Sequence, residues 1–395
     1  AGLGMRSAGH IGAAAGEVVV TTAGWLENAG QIDSNTRLHI SAAGPIGNSG
    51  TLLAGTDASL STPDNITLGG TLIARGDVLV AATGSTAWIE AGASSSLIAG
   101  RQADGTLGTT GTLQLKATRQ VGAHGYSLAG NQLEVTGGAI DLRGGQVAAR
   151  NLLLEASALG IDLSTSHITA QDTLMGTSPG LLRTAHAAIS AQSLRLDARS
   201  LDNTGGELIQ FGSNEMHLQL PGELTNSSGR IASNATMLRL GATTLDNTGG
   251  RIEHAGSGGL EIRTQSLAGS GGKILSNGLL DLHNTDQLNN QGGQISSTGA
   301  LTLNAAGVDN TGGSIQSSQA SVRIGSGSFD NSRGQLFAAT DLTLGAQNIL
   351  NPDGSLYAGH SLALALTGTL THSGTLAAGQ NVTVSAKRID ASATS

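Results

Sequence analysis

Two aspartates, Asp309 and Asp330, could supply the pair of carboxylates that a glycosidase uses. On neighbouring parallel strands their carboxylates would lie about 5 Å apart, roughly the separation found in retaining glycosidases. However, Asp202 and Asp246 occupy the same place in other copies of a repeated motif, and Thr225 replaces the aspartate in one copy. Catalytic pairs are singular, whereas these residues recur. The sequence therefore predicts no catalytic residues, and a polysaccharide-cleaving enzyme is the less favoured alternative.

The tripeptide Arg75-Gly76-Asp77 is a sequence that integrins bind, and turns display such residues well. Asp57 stands 20 residues earlier in the same register, and Asp341 holds the same place in a later copy. An Asp side chain at this place closes the turn before a strand. Two interpretations stay open, an adhesion tripeptide or a turn that requires Asp and Gly, and the second is favoured.

Residues 81–126 depart from the regular spacing and contain two long coils. Extra residues in a solenoid loop out on one face, which is often the binding face. Exposed aromatic and arginine side chains are typical interface anchors. The candidate receptor-binding residues are Trp88, Arg101, Lys116, Arg119 and Tyr126. The alternative is that Trp88 fills a wide coil and the loops have no function.

The sequence contains no motif typical of a metal site, a catalytic serine or a phosphate-binding loop. The ten histidines are scattered, without a His-Glu-x-x-His pair, and a Gly-Gly-x-Gly-x-Asp calcium repeat is absent. A Gly-x-Ser-x-Gly elbow and a phosphate loop are absent as well. We therefore predict no metal site and no cofactor.

The elements that position these residues come from a repeat of about 21 residues. Its clearest copies, Leu-Asp-Asn-Thr-Gly-Gly or Val-Asp-Asn-Thr-Gly-Gly, begin at Leu201, Leu245 and Val308, and each is followed by alternating aliphatic residues. Counting the apolar residue after each turn gives 18 anchors from Ile11 to Leu376, among them Leu128. Alternation with period two inside a fixed repeat predicts an all-β parallel β-helix of about 18 coils. We interpret residues 1–395 as a single repeat domain.

The asparagine of the motif recurs at the same place in successive coils. Stacked amides can form hydrogen bonds from coil to coil, so we predict a structural column. Gly269 interrupts this column and His372 replaces Asn at its end. Its members are Asn203, Asn226, Asn247, Asn290, Asn310, Asn331 and Asn351.

Composition narrows the function. The chain has 60 glycines, five prolines and no cysteine, and it carries a net charge of −8 with 12% charged residues. There is no basic stripe, so nucleic-acid binding is not predicted. The sequence contains no stretch of 18 apolar residues, which is about the length that a membrane-spanning helix needs. Neither end offers a cap for an exposed strand edge, so we expect an internal piece of a longer chain.

The repeated coils resemble the filamentous haemagglutinin repeats of Gram-negative two-partner secretion exoproteins, which include adhesins and contact-dependent growth inhibition effectors. The likeness is strong over 201–384, moderate over 11–80 and 128–200, and weak over 81–127. It implies a right-handed parallel β-helix (a solenoid) that forms an extended extracellular stalk. The secretion domain with its Asn-Pro-Asn motif and the Val-Glu-Asn-Asn tetrapeptide before toxin domains are missing.

The function predicted from these observations is a non-enzymatic stalk that extends a distal binding or toxin module from the cell surface. The resemblance implies a secreted or surface location in a Gram-negative bacterium, and an outer-membrane two-partner secretion transporter as partner during export. The stalk would be a monomeric rod. The alternative is a segment that binds a receptor or glycan on a target cell through residues 81–126.

Overall fold

Alternating aliphatic and polar residues form short strands with one buried and one exposed face. In the strand Leu38–Ala42, Leu38, Ile40 and Ala42 are buried, while His39 and Ser41 face outward. A computed structural model describes residues 3–391, and within that range every regular element is a strand. The packing divides the chain into two compact units, Ala1–Arg199 and Ser200–Ser395. The single domain over 1–395 stays a prediction.

The strands of the first unit are β1 Met5–Ser7, β2 His10–Ala13, β3 Val18–Thr22, β4 Leu26–Asn28, β5 Gln31–Ser34, β6 Leu38–Ala42, β7 Ile46–Asn48, β8 Thr51–Ala54, β9 Ala58–Thr62, β10 Ile66–Leu68, β11 Thr71–Ala74, β12 Val78–Ala82, β13 Trp88–Ala91, β14 Ser96–Ala99, β15 Thr112–Ala117, β16 Gln120–Ala123, β17 Tyr126–Ala129, β18 Gln132–Gly137, β19 Ala139–Asp141, β20 Gln146–Ala156, β21 Ile161–Asp162, β22 His167–Thr177, β23 Leu181–Arg183 and β24 Ala188–Asp197.

Three strands make each early coil of the first unit. β1 pairs with β4, β2 with β5 and β3 with β6, and all three pairings are parallel. The first strand of a coil joins one sheet, and the second and third join the other. From β20 onward the second and third strands are continuous, since β20 pairs with both β17 and β18.

The strands of the second unit are β25 Ser200–Asp202, β26 Glu207–Gln210, β27 Met216–Gln219, β28 Glu223–Thr225, β29 Arg230–Ser233, β30 Met237–Asp246, β31 Arg251–His254, β32 Gly259–Ala268, β33 Lys273–Ser276, β34 Leu279–Asn284, β35 Gln287–Asn289, β36 Gln294–Ser297, β37 Leu301–Asp309, β38 Ser314–Ser317, β39 Val322–Asp330, β40 Gln335–Ala338, β41 Leu342–Asn351, β42 Ser355–Ala358, β43 Ser361–Leu366, β44 Thr369–His372, β45 Thr375–Ala378, β46 Asn381–Ser385 and β47 Arg388–Asp390.

A different pair of strands merges in the second unit. There the third strand of one coil runs into the first strand of the next, so that β30 pairs with both β27 and β28. The second strands form a ladder of their own, from β26 through β29 and β31 to β33. These strands pair in parallel, and strands of one coil pair with those of the next.

The core of each unit consists of columns of aliphatic side chains. In the first unit Ile32, Leu52, Leu72 and Leu97 succeed one another in register and are fully buried. Burial of each such side chain is worth about 1.5–3 kcal/mol. The predicted fold class is confirmed: the chain is an all-β parallel solenoid, with about 19 turns where the sequence suggested about 18.

One predicted core position was wrong by one residue. Leu97 pairs with Ser127 rather than Leu128, so Ser127 faces the core and is 2% exposed, while Leu128 faces outward. A shift of one residue exchanges the two faces of a strand. The apolar side chain at Leu128 concealed this shift because the inward position beside it holds a small hydroxyl residue.

The residues beyond the regular spacing form three loops in the first unit. They are 83–87, 92–95 and 100–111, each between two strands of the solenoid. The longest, 100–111, follows strand β14 and contains an isolated antiparallel bridge between Arg101 and Leu107. The insertions therefore lie at the turns between strands, where they leave the parallel ladders on either side in place.

Candidate functional site

The loop 100–111 is held in a defined shape by its own residues. Gly100, Gly105 and Gly111 have φ angles of +83°, +88° and +93°, a conformation that other residues rarely adopt. The Asp104 carboxylate accepts hydrogen bonds from the Thr106 hydroxyl at 2.7 Å and the Thr106 backbone amide at 3.0 Å. These hydrogen bonds lower the pKa of Asp104. The loop is thus a short hairpin with a charged carboxylate in its turn.

This loop forms one side of a groove of about 560 Å³. The floor includes Leu53 and Ile73, which lie on the outward face of β8 and β11. Arg75 and Arg101 also line the groove. Arg75 has no ion pair within residues 3–391, and the only hydrogen bond of the Arg101 side chain there is to the Gly105 carbonyl, at 3.4 Å. The groove thus combines two available guanidinium groups with an aliphatic floor.

Asp33 lies at another part of the groove lining and already has partners. It accepts a hydrogen bond from Gln31 at 2.8 Å and a short contact from the His10 ring. Partial desolvation opposes ionisation of Asp33, but these two hydrogen bonds outweigh it and lower the pKa of the carboxyl group. Its charge is therefore partly satisfied within the protein, whereas those of the two arginines are not.

The tripeptide Arg75-Gly76-Asp77 is divided between two environments. The Arg75 side chain lines the groove, whereas the Asp77 carboxylate accepts a hydrogen bond of 2.7 Å from the backbone amide of Thr112 in the next coil. The Asp57 carboxylate accepts the Asp77 amide in the same manner, at 2.9 Å. The adhesion role of the tripeptide stays a prediction, and its aspartate has a structural hydrogen bond.

The other candidate receptor-binding residues do not line this groove. Trp88 is the first residue of β13 and is half-buried, Tyr126 begins β17 and is 48% exposed, and Arg119 is exposed between β15 and β16. Lys116 forms an ion pair of 3.0 Å with Glu134. The structure places Arg101 beside Arg75 in the groove, and it places Arg119 near Trp88, since the Arg119 amide donates to the Ala87 carbonyl at 2.9 Å.

The motif asparagines stack inside the second unit. Asn203 donates from Nδ2 to Oδ1 of Asn226 at 2.7 Å, and Asn226 donates to Asn247 at 2.8 Å. After Gly269 the chain of amides resumes from Asn290 through Asn310 and Asn331 to Asn351, with distances of 2.7 Å. Asn351 ends the series 3.1 Å from Nδ1 of His372.

Each of these amides also closes its own turn. Asn310 donates to the carbonyl oxygen of Gly313 at 3.3 Å and to that of Gln335 in the next coil at 3.4 Å. Gly312 has a φ of +61°. A Cβ on Gly313 would lie 2.2 Å from the Asn290 carbonyl oxygen. The two glycines of the motif are therefore needed for different reasons, backbone conformation and close approach.

A second pair of stacked asparagines was missed by the sequence analysis. Asn28 donates to Asn48 at 2.8 Å in the first unit, and both side chains are buried. Their turns read Asn-Ala-Gly and Asn-Ser-Gly, without the double glycine. The signal that could have found them is an asparagine that ends an alternating triplet and recurs after 20 residues.

The carboxylates of Asp309 and Asp330 each bind their own turn. Asp309 accepts hydrogen bonds from the Thr311 amide and the Gln291 side chain, and Asp330 from the Ser332 amide and hydroxyl. Partial burial opposes ionisation of Asp309, but these hydrogen bonds prevail and lower its pKa. A glycosidase acid has a raised pKa, and the pKa of Asp309 is shifted in the opposite direction.

Residues 3–391 hold no group of three or more His, Asp or Glu side chains placed to bind a metal ion. In the same range there is no helix of the length and apolarity needed to cross a membrane.

The geometry defines the class of protein: a parallel β-solenoid segment built from short repeats with stacked turn residues. Its sequence matches the haemagglutinin repeat family over residues 9–48, 40–87, 102–174, 319–371 and 357–395, which together make up more than half of the chain. The chain therefore belongs to the haemagglutinin repeat family, as its resemblance to filamentous haemagglutinin repeats predicted.

A curated relative is the toxin CdiA of Yersinia pestis. The chain is 36% identical to it over 230 residues, which cover 58% of this chain and 7% of the relative. The chain thus corresponds to a small part of that protein. No solved structure matches the chain.

The extent of the family match differs from the expected one. Residues 102–127 lie within a matched range although the likeness there was expected to be weak, whereas residues 175–318, which hold the three clearest motif copies, lie outside the matched ranges.

Proposed function

We propose that this chain is a non-enzymatic stalk segment of a two-partner-secreted, filamentous haemagglutinin-like exoprotein at the surface of a Gram-negative bacterium. The observation that carries the proposal is the continuity of the ladders within each unit: equivalent strands of successive coils pair in parallel, and few residues leave the coil. Such a segment transmits force through backbone hydrogen bonds and presents what lies beyond it. The CdiA relative is a toxin of much greater length, which suits a spacer role.

A deletion in register tests this role in the full-length exoprotein. Equivalent positions in three successive coils are Gln294, Ser314 and Gln335. Removal of residues 294–334 therefore deletes two whole coils and joins Gly293 to Gln335, which takes the place of Gln294. We expect surface display and the activity of the distal module to persist, because each coil packs on its neighbours.

The matched control removes residues 294–304, which is about half a coil and breaks the register. Surface display of a distal epitope tag, measured by antibody labelling of whole cells, should be lost in this variant. Equal loss of display after both deletions contradicts the stalk proposal.

A second candidate function is recognition of a receptor or glycan on a target cell by the first unit. The observation in its favour is that Arg75 and Arg101 line one groove without ion pairs in residues 3–391. Guanidinium groups suit carboxylate or phosphate ligands. The test compares binding of the purified chain to target cells with binding by an Arg75→Ala/Arg101→Ala variant.

The control for that assay is Arg119→Ala, which removes an exposed arginine that does not line the groove. Saturable binding that weakens at least tenfold in the double variant and stays unchanged in the control supports recognition. Absence of saturable binding by the unaltered chain assigns it the spacer role alone. Release of reducing ends from a polysaccharide panel would instead support the enzyme alternative.

A further inference from the structure

A second groove in the first unit is lined by residues that the stalk role does not use. It has a volume of about 700 Å³ and lies along the outward face of β4, β7 and β10. Trp25 and Pro45, both exposed, line it beside Glu27, Gly47 and Thr67 of these three strands. Volumes of this order are typical of small-ligand sites.

Trp25 gives the groove its aromatic surface. The chain has only two tryptophans, and Trp25 is 40% exposed. Its ring lies against Gly4, where a Cβ would come within 2.2 Å of ring atoms. The glycine thus lets the ring lie close to the neighbouring coil. The ring face of tryptophan is electron-rich, so it attracts the weakly positive C–H groups of a sugar ring.

Gly47 leaves the floor of the groove open. A Cβ on Gly47 would have the Cγ atom of Glu27 as its nearest neighbour, at 3.6 Å, and its φ lies outside the left-handed region. Neither packing nor backbone conformation therefore requires glycine at this position. A side chain there would occupy the space between Glu27 and Thr67, the outward residues of the adjacent strands.

The groove contains one positively charged and one negatively charged side chain, those of Arg6 and Glu27. Within residues 3–391, neither the Arg6 guanidinium nor the Glu27 carboxylate forms an ion pair or a hydrogen bond. A groove with one cation and one anion does not favour a ligand of high net charge. Vicinal hydroxyl groups both donate and accept hydrogen bonds, and thus suit a guanidinium and a carboxylate at once.

The backbone excludes one other mode of binding. Leu26, Ile46 and Ile66 pair in register, so the ladder groups of β4 and β7 are engaged with neighbouring coils. An extended peptide could not add to this surface as a further strand, since strand addition requires a free sheet edge. A ligand must be held by side chains on the sheet face.

We propose that this groove, with Trp25 as its stacking surface and Arg6, Glu27 and Thr67 as its polar partners, binds a neutral oligosaccharide. The site is separate from the groove at Arg75 and Arg101, and its occupancy does not depend on the stalk role.

Fluorescence of Trp25 tests the proposal directly in the complete chain. Trp88→Phe leaves Trp25 as the sole tryptophan. This variant is titrated with maltohexaose, cellohexaose and chitohexaose. We expect a saturable change in emission with at least one of them, and at least a tenfold weaker response after Gly47→Gln, which fills the floor.

The matched control is Gly92→Gln, at a glycine where a Cβ meets nothing within 4 Å and which does not line the groove. Binding in this control should be unchanged, and calorimetry should show at least a tenfold loss in Trp25→Ala. Melting curves confirm that each variant is folded. The proposal is overturned by absence of saturable binding to all three sugars, by equal binding in Gly47→Gln, or by a response confined to a heparin-derived hexasaccharide or a proline-rich peptide.

Discussion

The turns of the solenoid are lined in two different ways in residues 68–163 and residues 203–351. In residues 68–163, the inward residue where the first strand of a coil ends is aliphatic. In residues 203–351, the residue at this place is asparagine in most coils. The first series is Leu68, Ala91, Ala123, Leu142 and Leu163; the second is the asparagine column. One backbone position thus accepts either kind of side chain.

The inward residue at the end of the second strand follows the same division. In the first unit it is alanine at Ala74, Ala99, Ala129, Ala149 and Ala170. In the second unit it is polar at Ser233, His254, Ser276, Ser297 and Ser317. A buried polar group must find a partner, and here the partners come from within the unit. Each kind of residue extends over several coils, although Ser34 lies in register with Ala54 and Ser317 with Ala338.

Asn284 shows the condition of a buried amide outside such a column. It is 1% exposed, and neither its Nδ2 nor its Oδ1 has a hydrogen-bond partner in the described part of the chain. The neighbouring inward residue in register with it is Thr264. Asn310 differs from Asn284 because it has amide side chains in the adjacent coils. Hydrogen bonds to these amides offset the unfavourable free energy of burying Asn310.

The largest expected effect concerns the core that both regions share. Ile295→Asp should lower the free energy of unfolding by on the order of 4 kcal/mol, because it places an unpaired carboxylate at a position that is 1% exposed. Denaturant unfolding followed by circular dichroism measures the change. Ser296→Asp, on the outward face of the same strand, is the control and should change stability little; an unaltered Ile295→Asp curve contradicts the assignment of the column.

The next prediction exchanges the two kinds of turn. Asn310→Leu should cost about 3 kcal/mol, although Leu142 occupies the equivalent position in the other region, because it leaves buried groups of neighbouring coils without partners.

Asn284→Leu is the matched control for that exchange. The chemical change is the same, but it removes two buried polar groups without partners in the described residues, so stability should be unchanged or higher. The same denaturant measurement applies to both variants. A similar loss of stability in the two would mean that the amide column contributes nothing beyond packing.

The smallest expected effect is a dependence of stability on pH. It arises at His254, one of the polar inward residues at the end of the second strands. Burial lowers the pKa of His254, which is 3% exposed and donates from Nε2 to the Ala235 carbonyl at 2.8 Å. The native state then binds a proton less readily than the unfolded chain, whose imidazole has a pKa of about 6.5. The contribution of neutral His254 to the stability of the folded state is therefore fully present above this pKa of the unfolded chain. It decreases as the pH falls below that value.

The measurement is the melting temperature at pH 7.5 and pH 5.5. His254→Ser, which matches Ser233 and Ser276 in the adjacent coils, should reduce the decrease seen on acidification. A decrease of equal size in this variant would assign the pH dependence to other groups.

Much of the fold was predictable because it rests on local patterns. The repeat of about 21 residues and the alternation within it predicted a parallel solenoid, and the recurrence of the motif asparagine predicted the stacked amides. The register failed at Leu128 in β17, where the loop 100–111 lies between this strand and its partner β14 in the preceding coil, and where the inward residue is Ser127. Loop length obscures phase, and a serine gives no apolar signal.

The candidate sites were less predictable than the fold. Arg75 and Arg101 are separated along the chain by an entire coil, and only the path of the loop 100–111 brings both to one groove. Trp25 offered no signal beyond its rarity, because the position of its ring depends on Gly4 in the preceding coil.

The sequence by itself determined the period, the inward and outward faces of most strands and the positions of the turns, because these follow from the chemistry of neighbouring residues. Only the tertiary structure decided which side chains of different coils meet: the partners of Asn310, the lack of a hydrogen-bond partner for Asn284 within residues 3–391, and the residues that line each groove. Such contacts join residues about one repeat apart, and their geometry depends on the register of every coil between them.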